Sequence, residues 1–106
     1  MDKFSIKDMK GGWFIGDFEP TMHKTQDCEV AYKSYKAGFL DQKHYHKIAT
    51  EFTLVIKGRA KINDIELNEG DGVVIKPGES AEFIALEDTD TLVVKLPGAT
   101  NDKYID

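Results

Sequence analysis

A chain of 106 residues with 14 Lys and Arg against 19 Asp and Glu, and a formal charge of -5 at pH 7, is the size of one domain and has no basic stripe to displace counterions, so nucleic acid is not an expected partner. A hydrophobic share of 41% with 31% charged residues belongs to a folded chain rather than a disordered one. No apolar run approaches the roughly 20 residues that cross a bilayer, and the start MDKFSIKDMKGG has no signal-peptide core, so a cytoplasmic protein without a membrane partner is expected.

In chain order, Trp13 to Phe18 is aromatic and β-branched and reads as a first strand, ended by Pro20. Glu29 to Gly38 reads as a second, with Val30, Tyr32, Ser34 and Lys36 on one parity and Ala31, Lys33, Tyr35 and Ala37 on the other. A polar connection then leads to His44-Tyr45-His46, and Phe52 to Ile56 is a strand closed by Gly58. Arg59 to Ile62 and Ile65 to Leu67 bracket Asn63-Asp64, a hairpin turn. Turns at residues 68–72 and at Pro77-Gly78 enclose Val73-Val74-Ile75, and strands follow around Ala81 to Leu86 and Thr91 to Leu96. No segment keeps a 3.6-residue apolar period for three turns, which confines helix to a turn near the N-terminus or near Thr21 to Asp27. The sum is one all-β domain over residues 1–106, an antiparallel sandwich or barrel.

Phe52, Leu54 and Ile56 face one way and Glu51, Thr53 and Val55 the other, so this strand has apolar groups on both sides. Two apolar faces imply that the outer one is covered. A second copy of the chain, giving a homodimer, is the economical cover, with Trp13 and Phe14 available to cross onto the partner's sheet; a crossing N-terminal segment of the same chain is the alternative.

The main chemical signal is His44-x-His46 followed by Glu51. Residues two apart on a strand share a side, so the two imidazoles can chelate one ion. Glu51 has the opposite parity on a continuous strand, and a turn around Lys47 to Thr50 is needed to bring it back. Two imidazoles and a carboxylate suit Fe, Mn, Ni, Co or Zn as a divalent ion. His23, in a turn-like segment, reads as a solvated loop residue, Tyr45 as packing on the outer side, and Cys28 as an inert lone thiol. The glycine-rich turns lack the arrangement that cradles a nucleotide phosphate.

Gly38, five residues, His44-x-His46, four residues, Glu51, six residues and Gly58 resemble the first motif of the cupins, and Gly70 to Gly78 resembles the start of their second. The resemblance covers about residues 30–97 and implies a small single-domain cupin: a double-stranded β-helix, or jelly roll, dimeric, with a divalent metal held by His44, His46 and Glu51. It also implies a fourth ligand, a histidine of the second motif, at the position where this chain has Ala81. Glu82 next to it has the wrong parity to substitute. The tail from Pro97 leaves the last strand and is expected to lie across the barrel or its mouth. With the Trp13 to Phe18 segment it resembles small cupins of bacterial and phage surface-saccharide gene sets, which implies a small oxygen-rich ligand such as a sugar derivative.

Three functions follow from these residues. A metal-binding cupin acting on or binding such a molecule is the first. A cupin that binds a small ligand without metal or catalysis is the second. The third is a metal-free sugar-nucleotide isomerase or epimerase, with His44 or His46 as general base and a tyrosine as acid. The ligand set does not choose between enzyme and binder.

Overall fold

The computed structural model describes all of residues 1–106. Ten strands follow two short 3₁₀ turns, Ile6–Asp8 and Lys10–Gly12: β1 (Trp13–Ile15), β2 (Glu29–Tyr35), β3 (Leu40–Tyr45), β4 (Thr50–Lys57), β5 (Ala60–Ile62), β6 (Ile65–Leu67), β7 (Gly72–Ile75), β8 (Ala81–Ala85), β9 (Thr89–Leu96) and β10 (Tyr104–Ile105). One sheet has the order β1-β2-β9-β4-β7 and the other β10-β3-β8-β5-β6. All pairs are antiparallel, so the fold is a double-stranded β-helix. No helix is long and apolar enough to cross a membrane. The helical turn allowed for Thr21 to Asp27 does not form; that segment instead returns Met22 N–H to Phe14 O and Gly16 N–H to His23 O, folding back along β1.

Turn chemistry sets the joints. Asn63 takes the left-handed φ of 52°, and its side chain both donates to Ser80 O and accepts from Glu82 N–H, stapling the β5-β6 hairpin to the start of β8. Gly58 ends β4 with φ 87°, and a Cβ there would stand 2.2 Å from Asp88 O, so both backbone angle and space demand glycine.

Val55, Ala60, Ile62, Leu67, Ala81, Phe83 and Ala85 form the buried cluster, with Tyr35, Val73 and Ile75 packed against it. This dry core occupies one end of the space between the sheets. The outer face of the first sheet is different: Phe52, Leu54, Ile56 and Val74 are each 37–53% exposed, so no segment of the same chain covers them. The crossing N-terminal segment is therefore not the cover. Within the chain β1 pairs with β2 and Phe14 stacks on Phe4.

Candidate metal centre

The paired histidines do not share a strand. β3 ends at Tyr45, and His46 opens the loop to β4, while a bulge between Asp41 and His44 re-aims the strand just before it. The imidazoles nevertheless come together, their ring centres 5.3 Å apart at 84°. His44 lines the cavity between the sheets, whereas His46 is buried behind its wall, 5% exposed.

Both tautomers are set by backbone carbonyls. His44 Nδ1 lies 2.9 Å from Gln42 O and His46 Nδ1 3.0 Å from Asp102 O. A carbonyl can only accept, so each Nδ1 carries a proton, and in the neutral ring Nε2 presents a lone pair. Glu51, on β4, accepts from Thr53 Oγ1 at 2.9 Å through Oε2, leaving Oε1 to face His46 Nε2 at 3.5 Å. An acceptor thus faces an acceptor, and His46 Nε2 is buried without any hydrogen-bond partner. Burial first, and then the nearby Lys95 ammonium, hold the His46 imidazole below its usual pKa, so protonation does not resolve the mismatch near neutral pH.

A divalent cation does resolve it. Two donors at about 2.0–2.2 Å from one tetrahedral ion lie about 3.4 Å apart, close to the observed gap. Carbonyl-anchored Nδ1 atoms are the usual outer support of metal-ligating histidines. The structure does not, however, hold three or more His, Cys, Asp or Glu side chains at metal-binding distance, so the pair is preformed and the full set is not.

The residue that makes this geometry possible was not visible in the sequence. Asp102, in the tail between β9 and β10, is 4% exposed, and its carboxylate accepts from the N–H groups of Lys47, Ile48 and Ala49 at 2.9–3.2 Å. Burial opposes its ionisation, but those three donors outweigh it and hold the carboxyl below its usual pKa. The same residue's carbonyl holds His46, so one side chain and its backbone shape the turn that returns Glu51 to the cavity. The expected turn at residues 47–50 exists, and the tail crosses the barrel as expected, with Tyr104 pairing Tyr45 in register and stacking on it at 5.5 Å. Tyr45 is thereby packed outside, away from the histidines.

The cavity has a volume of about 380 Å³. Tyr35, Phe39, Phe83, Ile62 and Ile75 give it an apolar wall, and His44, Glu51, Asp41, Thr53 and Thr91 a polar one. Lys33, Lys95, Lys103 and Trp13 complete it, none of them singled out from sequence as site residues. Their signal was only parity, since Lys33 shares that of Ala31 and Tyr35. Two aromatic side chains stay out of the cavity: Tyr32 is bonded to Asp90 at 2.9 Å, and Phe52 is on the outer sheet face. Ala81 lines the cavity in register with His44, and Glu82 is exposed. His23 is exposed in its loop, far in the fold from the pair, and Cys28 is half-buried and free.

Residues 23–96, more than half of the chain, match the family described as the quercetinase C-terminal cupin domain. No curated protein matches the sequence. Among solved structures, an uncharacterised Klebsiella pneumoniae protein with a double-stranded β-helix domain superposes with a TM-score of 0.72 at 22% identity, over 97% of this chain and 89% of that one. KdgF from a Halomonas species gives 0.66 at 20% identity, over 73% and 74%. Oxalate decarboxylase from Bacillus subtilis gives 0.68 at 22% identity, over 76% of this chain but only 24% of that longer one. At these identities the likeness is one of fold.

Proposed function

The chain belongs to the cupin family represented by the quercetinase C-terminal domain, and on that premise we propose that it is a divalent-metal cupin, holding the ion on His44, His46 and Glu51 and presenting it to a small oxygen-rich molecule, such as a sugar derivative, in the cavity. The observation that carries this reading is the buried, unpartnered Nε2 of His46 facing the Glu51 carboxylate at 3.5 Å. A buried lone pair facing a half-buried carboxylate with no proton between them is unfavourable unless a cation joins them. Fe, Mn, Ni, Co and Zn all accept this donor set. The Bacillus subtilis oxalate decarboxylase, similar in fold, carries Mn(II) centres.

A bound ion of this kind polarises a carbonyl or hydroxyl oxygen, or lowers the pKa of water. The chain's own groups do the rest. Thr53 turns Glu51 so that one oxygen stays free, and Asp102 keeps His46 in the tautomer that can donate its Nε2 lone pair. Tyr35, whose hydroxyl burial pushes to a high pKa, stacks on Phe39 at 4.8 Å and keeps that wall neutral and dry. The cavity has apolar side chains on the Phe83 side and presents His44 and Glu51 at the polar side to a ligand.

One observation favours a second reading, a ligand binder or a metal-free isomerase or epimerase. Ala81 puts a methyl group across from His44, where the resembling motif has an imidazole. Elemental analysis of untagged protein purified without chelator, beside the His44→Ala/His46→Ala variant, separates the readings. Near-stoichiometric metal lost in the variant supports the metal cupin; no metal after anaerobic reconstitution with iron, manganese, nickel and zinc sinks it.

The open face of Phe52, Leu54, Ile56 and Val74 further supports a second copy as the partner that covers it. Light scattering after size exclusion should give twice 11.9 kDa for the native chain and 11.9 kDa for Leu54→Glu, with both retaining the same metal content.

A further inference from the structure

Two lysines of the cavity wall have no acidic partner. Lys33 Nζ stands 5.2 Å and Lys95 Nζ 4.9 Å from the centre of the Trp13 ring, approaching it from opposite directions along the strands, since Trp13 pairs with Ala31, two residues from Lys33, and Ala31 with Val93, two from Lys95. Lys33 donates one hydrogen bond, to Gly11 O at 2.9 Å, and Lys95 donates none. The ion pairs of the molecule leave both out, although Lys103, the third lysine of the wall, is paired with Asp41 at 3.3 Å. Glu29 and Glu51 flank Lys95 in register, but neither reaches it, and Glu51 is turned toward Thr53 and His46. Burial, and next the repulsion of Lys95, lower the proton affinity of Lys33; the Gly11 carbonyl, the ring and the more distant Asp41 and Glu51 carboxylates offset this only in part. Thr91, in register with Lys33, also lines the cavity, 1% exposed, and its hydroxyl makes no close hydrogen bond, the Tyr35 hydroxyl being near enough only for a weak one. In a chain of net charge -5, unpaired ammonium groups gathered in one cavity are not a by-product of a basic surface.

We propose that the cavity is a receptor for a small organic oxyanion, whose acid group is held by Lys33 and Lys95 beside Trp13 and by the Thr91 hydroxyl. This rests on the reading of the cavity as a ligand chamber and narrows the ligand from oxygen-rich to acidic. An oxyanion accepts from the free ammonium hydrogens and from the hydroxyl, which removes every unpaired donor of that wall at once. A neutral molecule leaves the two like charges unneutralised, and a cation adds to their repulsion. Carboxylate and phosphate share the required chemistry.

Trp13 is the only tryptophan, so its emission reports directly on the wall. Chelator-treated and dialysed protein is titrated at constant ionic strength with glucuronate, glucose 6-phosphate and glucose. At least one acid should change the emission saturably while glucose does not, and the midpoint should weaken about ten-fold or more in Lys95→Gln and in Lys33→Gln. Lys95→Arg should recover most of the binding, which separates lost charge from a damaged fold. An equal response to glucose, no saturable response to either acid, or unchanged midpoints in both glutamine variants would overturn the proposal. Failure here is separable from failure of the metal reading: anion binding by protein that takes up no ion would sink only the metal centre, and a metal-loaded protein blind to both acids would sink only the oxyanion receptor.

Discussion

The polar lining of the cavity has two sides built in different ways. The imidazole side comes mostly from one stretch of chain, residues 44–53, in which His44, His46, Glu51 and Thr53 are near neighbours in sequence. The lysine side is assembled from β1, β2 and β9, bringing Trp13, Lys33, Thr91 and Lys95 together from across the chain. The first side leaves a lone pair without a cation, and the second leaves cations without an anionic partner. The contrast teaches that a compact local motif states its chemistry openly, whereas a site made by strand register hides the same amount of chemistry in ordinary surface-looking letters.

The largest expected effect tests whether the imidazole side is as local as it looks. Asp102→Ala should destabilise the protein by about 2–4 kcal/mol, because three backbone N–H groups, at Lys47, Ile48 and Ala49, lose their buried carboxylate acceptor. It should also weaken metal binding about 10–100-fold by releasing the turn between His46 and Glu51. Denaturant unfolding and a competitive metal titration read the two effects. Unchanged metal affinity would mean that residues 44–53 organise themselves without the tail.

A smaller effect, on the lysine side, depends on pH. The Glu29 carboxyl is 7% exposed, and burial raises its pKa above 4.5, the Lys95 ammonium offsetting this only in part. The folded state therefore holds the proton more tightly than the unfolded one, so the group favours folding below pH 4.5, and that advantage is lost as pH rises through the folded value. Glu29→Gln should raise the Tm at pH 7, by no more than about 1 kcal/mol of stability, and the gain should fade as pH falls through the folded value and be gone below 4.5. Equal gains at pH 4 and pH 7 would show that burial of the charge is not the cause.

The smallest effect concerns Thr91. Thr91→Val keeps the shape and removes a buried hydroxyl without a close partner, so thermal unfolding should show stability unchanged or raised by up to about 1 kcal/mol. A loss above that size would reveal that the hydroxyl already has a bound partner, and the two sides of the cavity would then differ in being satisfied, not only in how they are built.

Much of the fold was legible in the residues. The Asn63-Asp64 hairpin, the strands at residues 50–57, 72–75 and 81–85, and the absence of long helix all follow from turn chemistry and β-branched runs whose effects are local. The pairing of His44 with His46 was legible too, although for a partly mistaken reason: the strand ends between them, and the bulge at Asp41 to His44 and the Asp102 anchor, rather than strand alternation, bring the rings together.

The chain's letters alone thus determined an all-β cupin with two imidazoles and a carboxylate held near one another, because hydrophobic alternation, glycine at left-handed turns and short spacings act over a few residues. Tertiary structure alone decided that Asp102 fixes the tautomer and the turn, and that Lys33 and Lys95 meet at Trp13. Those contacts join positions tens of residues apart, and the register of β1, β2 and β9 and the path of the tail over β3 are set by which whole faces can be buried, a property of the assembled sheets and of no single segment.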